Sequence, residues 1–466
     1  MQSSAMVDVL FGPEIRLMLS EADAEGMKTF CETLHPATVA AALAGEFTVD
    51  EIWKFLASTG IKNQAAVFEY FPIERQGELV EGTGREHMAR LIEQMSHDDR
   101  ADLLRRLMPR VRESLLRLVD EADRRDIAQL VKYEGNTAGA LMTTDYAWLP
   151  DNISAGDALE RLRLQAPNSE TIYYIYILDD QRKLLGVVGL RDLILAPRHT
   201  LLRDLMETEL VAVKVTEDRQ KVAQLMARFD LVAMPVTDEQ GRMVGIITHD
   251  DAIDIVVQTA TEDAHRMGAV SPMAQSYLEA SYITLWRTRA IWLAALFVAE
   301  MFTFNAMAQF DDALKVVTVL ALFVPLCIST GGNSGSQAAT LIIRAMALGE
   351  VKVQDWAKVV RHEIIMGVML GLTLGAIGFV RAYFMTPLHV LENPDGTFTD
   401  PLLLSVVVAQ SVAGICLWGT LIGSVLPLVF KRLGVDPGVA SSPFVATFVD
   451  VTGILIYFSI AKIWLL

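Results

Sequence analysis

The chain has 466 residues, 52% of them hydrophobic, and a formal net charge of −17. The charge is divided unevenly: residues 1–280 carry 29 Lys and Arg against 46 Asp and Glu, whereas residues 281–466 carry 11 of each. An acidic surface of that size disfavours nucleic acid and anionic lipid and favours cations, while the neutral, apolar second part reads as membrane-embedded. The three cysteines, Cys31, Cys327 and Cys416, stand in no ligand spacing, so neither a disulfide framework nor a zinc site is expected. No basic segment followed by an apolar one opens the chain, so no signal peptide is expected and the acidic part should stay in the cytoplasm.

In chain order, residues 1–135 read as an array of short helices. Apolar residues recur at helical spacing in Ile52-Trp53-Phe55-Leu56, Leu103-Leu104-Leu107 and Leu115-Leu116-Leu118-Val119. Ser96-His97-Asp98-Asp99-Arg100 and Asp120-Glu121-Ala122-Asp123-Arg124 read as helix starts with acidic first turns. Stacking would turn these helices into a superhelical domain.

An internal repeat follows. Asp179 and Asp238, Gly186 and Gly245, and Asp192 and Asp251 are each 59 positions apart. Around them β-branched runs flank a polar turn and lead to an acidic helix start, so each unit reads strand, turn, strand, helix. The repeat resembles a tandem pair of cystathionine-β-synthase-type (CBS) domains, with boundaries at 136–199 and 200–259. Such pairs sense ligands rather than catalyse. Tyr174, Arg191 and Asp192 fall where a pair of this kind could hold an adenine nucleotide such as ATP; a simple helix cap at Arg191-Asp192 is the alternative.

Residues 254–284 look helical and polar, and 260–284 form a connecting, plug-type helix ahead of the membrane part. Five apolar segments then follow at 286–310, 314–343, 359–384, 401–430 and 438–466, each long enough to span a bilayer. With the N-terminus inside, eight basic residues flank the cytoplasmic side and Lys315, Arg381 and Lys462 the other, which supports that orientation. The loop with Glu392, Asp395 and Asp400 and the C-terminus are then expected outside. The fold class is multidomain: a cytosolic α-helical superhelical domain, a tandem α/β CBS pair, a connecting helix and a five-span α-helical membrane domain at 285–466.

Two stretches of the membrane half carry chemistry. The first, Thr330-Gly331-Gly332-Asn333-Ser334-Gly335-Ser336-Gln337, is expected to break its helix and to offer carbonyls to a hydrated cation. A small-residue packing seam is the alternative. The second ends in Asp450, a carboxylate whose insertion costs roughly 2.5–3.5 kcal/mol at a helix centre. Ser442, Ala446 and Asp450 are spaced to share one helix face, and Pro443 is expected to free a carbonyl near Val439. A buried pair or a place near the membrane edge is the plainer account of Asp450.

The patterns P-x-x-x-x-T-G-G-N-x-G-x-Q from Pro325 and D-P-x-x-x-S-x-P-x-x-x-T-x-x-D from Asp436 to Asp450 resemble the MgtE family of magnesium channels, as does the order of domains. The resemblance implies a non-enzymatic homodimer in lipid, in the inner (plasma) membrane, with a pore between protomers that takes Mg²⁺ into the cytoplasm and closes when internal Mg²⁺ is high. By motif, it implies an ion path at Asp450, Ala446, Ser442, Asn333 and Gly332. It also implies regulatory metal positions at Asp230, Asp251, Asp254, Glu262, Asp263 and Asp436. The acidic Asp98, Asp99 and Asp102 of the helical domain are expected to face them. The family pattern has Asn where this chain has Ser442 and Glu where it has Thr259, which puts selectivity and one sensor site in question. Transport of Co²⁺, Mn²⁺ or Ca²⁺, or cation-coupled exchange, stays open, because carboxylates and carbonyls suit several hard cations.

Overall fold

The computed structural model describes residues 2–45, 47–273, 277, 280–394 and 396–465. The chain divides into two compact units, Met1–Val257 and Gln258–Leu466. In the first, ten helices run between Gln2 and Leu130 among the described residues. Each gives an apolar stripe to one core, which holds Ile52, Phe55, Phe68, Leu79, Leu91, Leu104 and Leu115. The acidic phrases do start helices: α1 (His97–Arg106) follows Ser96, and another helix spans Glu121–Leu130.

The repeat folds as two copies of one unit. The strands are β1 (Tyr146–Pro150), β2 (Thr171–Leu178), β3 (Leu184–Gly189), β4 (Val213–Lys214), β5 (Ala233–Thr237) and β6 (Met243–Thr248). They form sheets ordered β1-β2-β3 and β4-β5-β6, each with one parallel and one antiparallel pairing. The repeated Asp is a turn clamp. Asp179 Oδ1 accepts from the amides of Gln181 and Lys183 at 2.8 Å, and Asp238 Oδ1 accepts from Gln240 and Arg242 at 2.9 Å. The repeated Gly is a close approach: a Cβ at Gly186 would lie 2.8 Å from Glu207 O, and one at Gly245 2.7 Å from Thr143 O.

The connecting helix, α2 (His249–Met267), is shorter than expected. Among the described residues the helical reading of 254–284 holds as far as Met267 and again from Tyr282, where the next helix starts; residues 274–276 and 278–279 lie outside the described residues. Val270 N–H bonds back to His265 O at 2.9 Å, Ala269 takes a left-handed φ of 56°, and Pro272 follows. With Ala269 N–H bonded to Arg266 O at 2.9 Å, these close the helix as a Schellman motif.

The second unit contains α3 (Tyr282–Ala308), α4 (Leu320–Ala347), α5 (Trp356–Met385), α6 (Pro401–Arg432) and α7 (Ser442–Trp464). Among the described residues four helices are long and apolar enough to cross a membrane: α3, the stretch Val353–Met385 that includes α5, α6 and α7. The expected five-span count is therefore not met by composition. The second predicted segment, α4, has 28 residues, but its Thr330–Gln337 run makes it too polar to count. It still packs in the bundle core, where Phe323, Val324 and Cys327 meet Val408, Val412 and Ile415 of α6 and Val445, Val449 and Phe458 of α7.

Two local expectations are corrected. The Gly-Gly-Asn-Ser-Gly run does not break α4, which stays helical through it, so its carbonyls remain in the helix ladder. Pro443 frees no carbonyl near Val439, because α7 begins at Ser442 and the proline occupies its first turn, where the lost N–H has no partner anyway. Of the expected outside loop, Asp395 lies outside the described residues.

Candidate functional site

Gly332, Asn333, Ser442, Ala446 and Asp450 line one cavity of about 520 Å³. The rest of its wall comes from Val324, Pro325, Ile328, Ser329, Ser336 and Pro443. Two helices build it. On α7 the four-residue spacing puts Ser442, Ala446 and Asp450 on one face, as the sequence predicts. On α4 two faces separate by helical geometry. Gly331, Ser334, Gly335, Ala338 and Ala339 are buried, whereas Asn333 and Gln337 are exposed.

The buried face is a packing seam. A Cβ at Gly335 would lie 2.8 Å from Gly419 O of α6, and Ser334 Oγ donates to Cys416 O at 3.2 Å. The cavity face is polar: Asn333 Nδ2 donates to Ser329 Oγ at 3.4 Å and Ser336 Oγ to Ser442 O at 3.2 Å. A Cβ at Gly332 would lie 3.6 Å from Asp450 Oδ1 and 3.4 Å from Ala446 Cβ. The missing side chain therefore leaves room directly beside the carboxylate. A few oxygen-bearing side chains, those of Ser329, Asn333, Ser336, Ser442 and Asp450, in a largely apolar wall around a space wider than a bare ion suit a cation that keeps its water.

The sequence reading missed two features of this region. Glu300, half-buried on α3, is the charged neighbour of Asp450. The rule that singles out Asp450 applies to it equally, since it lies within an apolar span. A glycine stripe at Gly367, Gly371, Gly375 and Gly378 lets α5 lie against α6, with a Cβ at Gly371 2.8 Å from Ala413 O. Its 4, 4, 3 spacing, that of one helix face, was there to be read.

In the first unit the acidic residues converge. Asp98 and Asp99 on α1 act on Asp251, and Asp98 and Asp250 act on Glu170. Burial, with the Asp98 carboxylate second, raises Asp99 and Asp251 above the usual range and Glu170 to about 7; burial also raises Asp98, against hydrogen bonds from backbone amides. Asp254 is raised by burial and by Asp250. Apolar packing holds these charges together, since Ala101 of α1 joins the core of the second repeat. His97 Nε2 lies 3.0 Å from Asp145 Oδ2, and Arg105 Nη2 donates to Leu130 O at 2.8 Å. Asp102 pairs with Arg105. Asp230 is exposed and ends its helix in a left-handed conformation.

Glu262, Asp263 and Asp436 lie in the second unit. Burial raises Asp263, and Arg266 opposes this. Asp436 and Glu262 both pair with Arg266. Among the described residues no three His, Cys, Asp or Glu side chains stand close enough to hold a metal ion.

Tyr174 and Asp192 line a cavity of about 470 Å³ with Gly189 and Glu207. Both also line a second one of about 710 Å³ together with Arg191.

Residues 324–460 match the MgtE family model, described as a divalent cation transporter, residues 34–136 match the MgtE intracellular N domain, and 138–199 and 202–258 each match the CBS domain. The chain is 38% identical over 450 residues to a magnesium transporter MgtE of Thermus thermophilus, covering 96% of this chain and 97% of that one. It is 30% identical over 391 residues to its Bacillus subtilis namesake, covering 84% and 83%. A crystal structure of the cytosolic domain of the Mg²⁺ channel MgtE in complex with ATP aligns with a TM-score of 0.50 at 34% identity, covering 52% of this chain and 98% of that one. The soluble part of a magnesium transporter aligns at 0.51 and 27%, covering 55% and 99%. The class is therefore an integral membrane transporter, not an enzyme, with an N-terminal helical domain and a CBS pair. Within that class, this chain belongs to the MgtE family.

Proposed function

We propose that this protein carries Mg²⁺ into the cytoplasm along a path lined by α4 and α7, and that cytosolic Mg²⁺ closes it. The observation that carries the reading is the single cavity uniting Gly332, Asn333, Ser442, Ala446 and Asp450. The relatives named as magnesium transporters support the choice of ion. Asp450 attracts and centres the hydrated ion. The surrounding hydroxyl and side-chain amide oxygens contact its water, which Mg²⁺ sheds reluctantly. α4 serves as the fifth span because its polar side is turned to the path. The N-terminus lies in the cytoplasm and the C-terminus outside.

The path is completed by a second protomer. The cavity is open, and Asn333 and Gln337 stay exposed within a membrane helix, where polar groups need a wet or protein environment. Gating follows from the acidic surplus. Carboxylates forced together repel, and a bound divalent ion offsets that repulsion and stabilises the closed form by mass action. Asp98, Asp99, Asp251 and Asp254 sense in the first unit and Glu262, Asp263 and Asp436 in the second. Asp102, held by Arg105, and the outlying Asp230 are secondary.

The decisive experiment is Mg²⁺ flux into proteoliposomes with Asp450→Ala and Asp450→Asn. Both should lose at least about tenfold in flux, one factor of ten for each 1.4 kcal/mol of lost ion stabilisation. Full transport by both would refute the path. Competition by Co²⁺, Mn²⁺ and Ca²⁺ in the same assay ranks the ions. ATP is expected at Tyr174, Arg191 and Asp192; titration calorimetry should show heat that Asp192→Asn abolishes, and no heat with the unmodified protein removes the nucleotide site.

A further inference from the structure

Arg266, one residue before the end of α2, joins the connecting helix to the start of α7. Its Nη1 pairs with Asp436 Oδ2, and its Nη2 lies 3.6 Å from Glu262 Oε2. The other oxygen of Asp436 accepts from Gly438 N–H at 2.8 Å and caps the turn Pro437–Val439 that leads into α7. A Cβ at Gly438 would lie 3.0 Å from Arg266 Cβ, so the turn rests on the arginine stem. Next to it, Met267 packs against the membrane core. A chain of contacts thus runs from α2 through one guanidinium to the helix that carries Ser442, Ala446 and Asp450.

We propose that Arg266 is an in-chain counter-cation for Asp436: it positions the start of α7 and sets how much divalent cation is needed to occupy the carboxylates around it. The inference rests on the gating reading above. A guanidinium keeps its charge at any working pH, and its rigid fork offers one nitrogen to Asp436 and the other to Glu262. A divalent ion that needs the oxygens of Asp436 and Glu262 must displace it. The arginine therefore opposes the ion and keeps the site from filling at low concentration. It also keeps α7 tied to α2 while no ion is bound.

The test is a Mg²⁺ titration of the full-length protein in detergent, read as protection of the 254–284 segment from chymotrypsin, which does not cut at arginine. Arg266→Gln should lower the protecting concentration about fivefold, the scale of a half-exposed ion pair. Arg266→Lys, which keeps the charge and loses the fork, should stay within about twofold of the unmodified protein. In an Asp436→Asn background, Arg266→Gln should have a smaller effect, because only the longer pair with Glu262 remains. An unchanged or higher midpoint for Arg266→Gln, or an undiminished effect in the Asp436→Asn background, overturns the proposal. Should Arg266→Gln fail to give monodisperse protein, a midpoint for Arg266→Lys shifted upward does the same. Absence of Mg²⁺ protection in the unmodified protein defeats the gating reading itself, and this inference with it.

Discussion

Asp98, Asp99 and Asp251 show how single side chains can make a domain contact conditional. Burial raises all three, with Asp102 adding to it at Asp98, and Asp98 adding to it at Asp99 and Asp251, which rise to about 8. A carboxyl raised in the folded state favours that state while protonated. Its contribution is complete below the ordinary 3.8 and disappears as pH climbs toward the raised value. Without divalent ions, the contact between the helical domain and the second repeat should therefore be firm near pH 4 and loosen toward pH 8. Limited proteolysis of the cytosolic part across that range reads this directly, and a flat profile would remove the electrostatic account. Mg²⁺ should abolish the pH dependence and release protons at pH 7, which calorimetry in buffers of different ionisation enthalpy detects. The acidic character of these residues was legible in the sequence. Their pressure on one another was not, because it depends on Ala101 docking α1 into a different domain.

At the scale of elements, α4 is the instructive case. Its glycines read as a break, yet they act as places of contact. One face meets α6 through Gly331 and Gly335, and the other lines the cavity through Gly332 and Asn333. The two faces predict opposite responses to one added methyl. Gly335→Ala forces a carbon within 2.8 Å of Gly419 O and of Val445 Cγ1, so both backbones must shift, at a cost of about 1–3 kcal/mol. Gly332→Ala meets only ordinary van der Waals neighbours and should leave stability within about 0.5 kcal/mol while narrowing the path and lowering flux. Thermal unfolding in detergent beside flux in proteoliposomes separates the two. Equal destabilisation by both would mean that the faces are wrongly assigned.

Across the whole molecule, charge and apolarity are segregated along the chain. The first 280 residues hold the entire net charge of −17, and the rest is neutral. One protomer leaves polar α4 residues and most of α3 without protein cover. On the proposed two-protomer path, the former face a second copy of the chain. The purified protein should therefore run as a dimer by light scattering, and Asn333→Leu with Gln337→Leu should weaken flux without unfolding the helix. A monomer that conducts fully would defeat the two-protomer path.

What the sequence determined by itself is what local pattern and spacing encode. The 59-residue repeat dictates two identical turn clamps at Asp179 and Asp238, and the i, i+4 spacing of Ser442, Ala446 and Asp450 puts them on one face, whatever surrounds them. Only tertiary structure decided what the small and charged residues do. A glycine is a break, a seam or an opening according to the helix that lies against it. Asp102 with Arg105 and Glu262 with Arg266 stand at the local i, i+3 and i, i+4 spacings, but Asp436 is held by Arg266 across 170 positions that no spacing rule bridges. Close packing and electrostatics depend on which surfaces meet, and that information is not carried by any short stretch of chain.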